Sequence, residues 1–185
     1  MLILLALVVV LIVAATILYN RLFRSRNRVD SAWSDIDVQL QRRHDLVPRL
    51  VTAVDQYAKY EQATLQAVAE LRSAAAHTPD IAKRGDLEEQ LGQGLGRLLA
   101  LAESYPDLKA NENFLQLQRE LVETENYLQF ARRYYNASVR DFNTMTATVP
   151  SNIVARGFGF RERQFFQKSA DEVANVPLAK FGTVE

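Results

Sequence analysis

Leu2 to Leu18 is apolar apart from Thr16, and a helical pattern follows it. At about 1.5 Å per residue, this run is just long enough to cross a hydrocarbon core of about 30 Å. A cleaved signal peptide would need a positive n-region and a small-residue cleavage site. Neither is clear here: no Lys or Arg precedes the run, while Arg21, Arg24, Arg26 and Arg28 follow it. The expectation is an uncleaved anchor spanning residues 1–19. By the positive-inside rule the N-terminus lies outside and the rest in the cytoplasm, as in a single-pass protein of the cell membrane. Tyr19 suits the membrane interface. The four arginines either meet anionic headgroups or serve only to fix topology.

From Val29 the apolar positions step by four and three through Trp33, Ile36 and Leu40, then Val47, Leu50, Val54 and Tyr57, and again at Leu65, Val68 and Leu71. This is a helical stripe with near-heptad spacing. It keeps its phase across Pro48, which predicts a kink in a continuing helix, with a turn into a separate helix as the alternative. The first real connection is expected at Ser73–Asp80. A shorter helix follows around Leu87, Leu91, Leu95, Leu98 and Ala102. Gly92, Gly94 and Gly96 lie within it, at a spacing that fits no phosphate-binding loop. They imply close helix approach or local looseness.

The cleanest pattern comes next. Phe114, Leu121, Leu128, Tyr135 and Phe142 recur every seventh residue, with Leu117, Ala131 and Met145 on the companion seam and the small Thr124 and Ser138 filling it. Such a ladder is a long bundle or coiled-coil helix. It stops near Pro150. Beyond it, GFGFRERQFF places Phe158, Phe160, Phe165 and Phe166 among arginines, where a short final helix either meets the membrane or packs back on the bundle. Val176 to Glu185 reads as frayed. No run shows strand alternation, so the fold class is all-α. The expected architecture is a transmembrane helix continuing into an up-and-down, four-helix-bundle-like domain of long antiparallel helices (20–150), then a short C-terminal helix and tail (151–185).

Several linked motifs resemble the LemA family. These are YNRLFRSRNRVDSAWSDIDVQLQRRHDLVPRLV from Tyr19, YPDLKANENFLQLQREL from Tyr105, Arg132, Tyr135-Asn136, Val139, Phe142-Asn143, Pro150-Ser151-Asn152 and Phe158-Gly159-Phe160. Phe142 stands where the family usually has tyrosine, and Val149 where it usually has phenylalanine. The resemblance implies one N-terminal membrane helix and a cytoplasmic four-helix-bundle-like domain, but no agreed biochemical activity. Family members are associated with bacterial membranes and the cell envelope.

The residues themselves offer little chemistry. With 22 Lys and Arg against 22 Asp and Glu, no net basic field favours nucleic acid, and there is no cysteine for thiol or zinc-ribbon chemistry. Arg42, Arg43, His44 and Asp45 point about 100° apart around a helix and are not expected to converge. His44 lacks a second ligand one turn away, and no E-x-x-H accompanies the carboxylates, so neither a metal nor a cofactor is expected. Arg43, on the seam, is expected to pair with a carboxylate of a facing helix, and Arg132 to do likewise. Asn111, Asn113, Asn136 and Asn143 suit caps or cross-links. Trp33 is expected in the core, with partner binding as the alternative. The functional expectation is a non-enzymatic, membrane-anchored scaffold or adaptor of the cell envelope. Its partners would be the lipid bilayer and unidentified membrane or envelope proteins. The second reading is a self-assembling homo-oligomeric membrane organiser, and a hydrolase ranks third because no nucleophile–base–orienter set is visible.

Overall fold

The computed structural model describes residues 1–58 and 61–166, so the expected frayed end at 176–185 lies outside the described residues. The described residues are all-helical: α1 (Leu2–Asp55), α2 (Gln62–Ala76), α3 (Ile81–Ala102), α4 (Pro106–Lys109), α5 (Glu112–Ala147) and α6 (Ser151–Gly157). At 54 residues α1 is about 80 Å long. Its first third is long and apolar enough to cross a membrane and packs against nothing else in the fold. The remainder is one strand of an up-down-up-down bundle completed by α2, α3 and α5, with α5 antiparallel to α1 along its length.

The heptad ladder of α5 is its interior seam. Phe114, Leu121, Leu128, Tyr135 and Phe142 are all buried, and so are the small Thr124 and Ser138 between them. Ladder residues from the two long helices meet in two separate apolar cores. At the end nearer the apolar run, Leu22, Val29, Ala32, Ile36 and Leu40 pack on Leu128, Tyr135, Val139 and Phe142. At the far end, Leu46, Val47, Leu50 and Val54 pack on Leu65, Val68, Leu91, Leu95, Leu98, Phe114, Leu117 and Leu121. Arg43 and His44 on α1, and Thr124 and Glu125 on α5, fall in the interval between them.

Pro48 lies inside α1, which continues to Asp55, so the alternative of a turn at this proline is excluded. A proline cannot donate to the carbonyl four residues back, here that of His44. That carbonyl accepts instead from Arg72 Nε of α2 at 2.8 Å, so the proline's missing donor is replaced by a neighbouring helix.

Two boundaries differ from expectation. The first connection falls at residues 56–61, well before Ser73, and the bundle's fourth helix is therefore α2. The turn contains no Gly or Pro and leaves the stripe's phase intact: Ala58 is fully buried one turn after Val54, and Leu65 and Val68 follow in register. What makes the chain turn is tertiary. Folding back places Leu65 and Val68 against α1 and α3, which a straight helix would leave in water. Gln62 Nε2 spans the turn to Asp55 Oδ1 at 2.7 Å. The second difference is the final helix, which ends at the first glycine of the GFGF element; residues 158–166 are not helical. Gly159 adopts φ 73°, a left-handed conformation that suits glycine at this reversal.

Gly94 allows α2 to approach α3, since a Cβ there would sit 3.1 Å from Val68 Cγ2. Gly96 has open space around it, so close approach explains only part of the glycine series.

Candidate functional site

The interval between the two cores is filled by a polar layer. Arg43 Nη1 donates to Glu88 Oε2 at 3.0 Å and to the Glu88 carbonyl at 2.8 Å. Its Nε donates to Glu125 Oε1 at 2.7 Å, and Nη2 donates to Glu125 Oε2. His44 Nε2 lies 2.7 Å from Glu88 Oε1, a geometry that fits the tautomer with hydrogen on Nε2. Arg43, His44 and Glu88 are almost wholly buried, whereas the Glu125 side chain is 38% exposed. Gly92, one turn after Glu88, lies beside the guanidinium, where a Cβ would make an ordinary contact with Arg43 Nη2 at 3.4 Å.

Arg43 and His44 do not meet at one atom, in keeping with their divergence around α1, but they share one carboxylate. It is brought between them by α3, and each takes one of its oxygens. The leucine pattern puts Leu87 on the α3 stripe, yet Leu87 is only half-buried and Glu88 occupies the interior position. A signal existed. Ile81, Gly85, Glu88, Leu91, Leu95 and Leu98 share helical spacing, and a charged residue on that stripe marks a buried polar site. Arg72, which serves the His44 carbonyl, carried no such signal. Chemically the layer is closed, because its donors and acceptors satisfy one another. Among the described residues, no group of three His, Asp or Glu is placed to hold a metal ion.

Arg132 departs from the pairing expected for it. Its guanidinium lies over the Phe166 ring, 5.7 Å from the centroid, and makes no ion pair among the described residues. Burial holds it below the usual guanidinium value; Glu89, then Glu125, pull the other way, and Arg43 adds to the lowering.

The tail phenylalanines divide. Residues 161–166 run as an extended strap along α5, held by two asparagine amides. Asn143 receives Arg163 N–H and donates to the Arg163 carbonyl, at 2.8 and 2.9 Å. Asn136 does the same for Phe166 at 3.0 and 3.2 Å. Tyr135 Oη donates to the Gln164 carbonyl at 2.8 Å. Phe166 is buried against Trp33 and Tyr135, and Phe160 packs against Phe142. Phe165 is half-buried on the same core. Phe158 is 65% exposed and meets Tyr19 at 4.8 Å between ring centroids. Asn111 caps α5, accepting from Phe114 N–H at 3.1 Å. Trp33 sits at the edge of the core nearer the apolar run with Arg84 over its ring, while Ala32 takes the central position. At the far end Tyr57 is likewise displaced outward by Ala58.

Two surface features complete the picture. Arg21, Arg24 and Arg28 face α5, whereas Arg26 turns away towards Asp30 at 3.8 Å. On another side, Val38 of α1 and Tyr127, Phe130 and Tyr134 of α5 are exposed together and line a groove of about 400 Å³ with Asp35 and Gln39.

The LemA family profile matches residues 32–181. Protein LemA of Metamycoplasma hominis is 29% identical, over 87% of this chain and 74% of that protein. Magnetosome protein MamQ 2 of Paramagnetospirillum magneticum is 24% identical, over 87% and 69% of the two chains. Magnetosome protein MamQ of Magnetospirillum gryphiswaldense is 24% identical, over 81% and 65%.

Proposed function

The chain belongs to the LemA family, and from that premise we propose that it is a non-enzymatic scaffold, anchored in the cell membrane by α1, whose bundle recruits other proteins to the membrane surface. The carrying observation is the aromatic groove. Val38 and Phe130 are each 63% exposed, and Tyr127 and Tyr134 each 53%. Tyr127, Phe130 and Tyr134 are spaced i, i+3, i+7, so they form one stripe on the side of α5 that the bundle leaves uncovered. Contiguous exposed apolar surface of this kind marks a protein-binding face. The buried polar layer, by contrast, has spent its groups on one another. The arginines after the apolar run support a cytoplasmic bundle with the N-terminus outside.

A photocrosslinking residue at Phe130 in intact membranes tests the reading. Adducts at this position, absent when the probe stands at exposed Glu112 instead, support it; equal labelling at both positions argues against it. A protease site at residue 185 that is cut from outside intact spheroplasts would reverse the topology.

The second reading is self-assembly, and the anchor favours it. Tethered copies share one orientation and present the groove at one height, which raises effective concentration without new contacts. The relatives named as magnetosome proteins fit a component of an assembled structure. Particle size in detergent separates the two: one chain per particle favours the adaptor, a large closed assembly the organiser.

A further inference from the structure

The membrane-end arginines do more than follow an apolar run. Arg21, Arg24 and Arg28 recur at i, i+3, i+7 on one face of α1, beside buried Ser25. Across from them α5 supplies Arg140 and Thr144, spaced one turn apart, with Asp141 and Met145. Together these residues line a cleft of about 560 Å³. The three guanidiniums from α1 make that wall of the cleft basic.

Its height is set by the helix. Measured from Leu18, Arg21 lies about 4.5 Å along the axis, Arg24 about 9 Å and Arg28 about 15 Å. The headgroup layer of one leaflet is about 5–7 Å thick. Arg21 therefore lies within it, Arg24 just beyond its outer margin and Arg28 one turn farther out, and helical side chains lean towards the N-terminus, which carries the guanidiniums back towards the headgroups. Tyr19 and exposed Phe158, in ring contact, mark the same level on the bundle's surface. A guanidinium fork matches phosphate oxygens two at a time, and the hydroxyls of Ser25 and Thr144 add donors of the same kind.

We propose that the α1–α5 cleft binds the phosphate of an anionic phospholipid headgroup, so that the bundle is docked on particular lipids and not merely tethered above the bilayer. The proposal rests on α1 being a membrane anchor, as proposed above. That premise fails separately: the protein would then be stripped from membranes by alkaline carbonate.

The test uses the full chain in neutral detergent with phosphatidylglycerol and phosphatidylcholine in equal amounts, counting retained lipid by native mass spectrometry. Phosphatidylglycerol is expected to be retained preferentially. Arg24→Gln with Arg28→Gln is expected to lower that retention about thirtyfold, at about fivefold per arginine near a headgroup surface. Arg24→Lys with Arg28→Lys keeps the charge and most of the preference. In the parent protein, raising salt from about 0.1 M to about 1 M shortens the Debye length from about 10 to about 3 Å and is expected to erode the preference. Equal retention of both lipids, or a preference indifferent to salt and to the glutamine pair, overturns the proposal. Inorganic phosphate that displaces phosphatidylglycerol at equal concentration would identify a soluble anion as the ligand and overturn it as well.

Discussion

Replacing Arg43 by methionine keeps the apolar stem and removes four hydrogen bonds at once. The magnitude is decided by which carboxylate is left behind. Glu125 is 38% exposed in its side chain and recovers water; Glu88 is 2% exposed and cannot. Stranding a buried charge whose partner has gone typically costs about 3–5 kcal/mol, and His44 on the other Glu88 oxygen relieves only part of it. We therefore expect Arg43→Met to destabilise by about 3–5 kcal/mol, and Glu125→Gln by about 1 kcal/mol or less, in line with exposed pairs. Arg43→Met combined with Glu88→Leu removes the stranded charge and should recover much of the loss, because apolar replacement of a buried ion pair is often close to neutral.

Denaturant unfolding of residues 20–185 measures all three, together with Glu88→Leu alone. That fragment keeps Leu22, which is fully buried. Circular dichroism follows both cores, while Trp33, the chain's one tryptophan, reports only the core nearer the apolar run. Coincident transitions are the check on two-state analysis. A loss under about 1 kcal/mol for Arg43→Met would mean that water reaches Glu88. A double variant as unstable as the sum of its singles would mean that Arg43 and Glu88 do not interact. Either result refutes the argument.

Three further outcomes follow from particular contacts. Arg72→Met should cost about 1–3 kcal/mol by leaving the His44 carbonyl unpaired, and distinctly less in a Pro48→Ala background, where residue 48 regains its N–H; equal costs in both backgrounds would disprove the link. Leu128→Ala should lose about 2–5 kcal/mol, the usual range for a packed leucine, and a loss below about 0.5 kcal/mol would displace it from the core. Burial raises the Tyr135 phenol above its ordinary value of 10.0, with Arg163 opposing. The unfolded chain therefore releases this proton first, and stability falls as pH rises past that value. Tyr135→Phe should flatten that fall in alkaline unfolding curves, and an unchanged slope would show that the phenol does not contribute.

What could be read in advance was whatever recurs with a helical period. The α5 ladder is legible because a regular helix against a regular partner repeats its burial every seventh residue, and Phe114 to Phe142 obey that rule without exception. The turn at 56–61 was illegible for the same reason: periodicity reports which side of a helix is apolar, and Val54, Ala58, Leu65 and Val68 stay in phase whether the chain continues or doubles back. Only the third dimension, in which Leu65 and Val68 join the core formed by α1 and α3, distinguishes the two. The polar layer sits between these cases. Arg43 was legible as a charge on a seam, but its effect depends on Glu88, brought from 45 residues away. A buried charge in one helix therefore predicts a complementary one elsewhere without saying where. Once the turn at 56–61 is in place, the register of α3 leaves Glu88 as the buried carboxylate that meets Arg43 and His44 together. A one-turn slip of α3 would strand the carboxylate among leucines. The layer thus penalises wrong registers more than it stabilises the right one, since apolar groups in place of a buried ion pair are often close to neutral in stability.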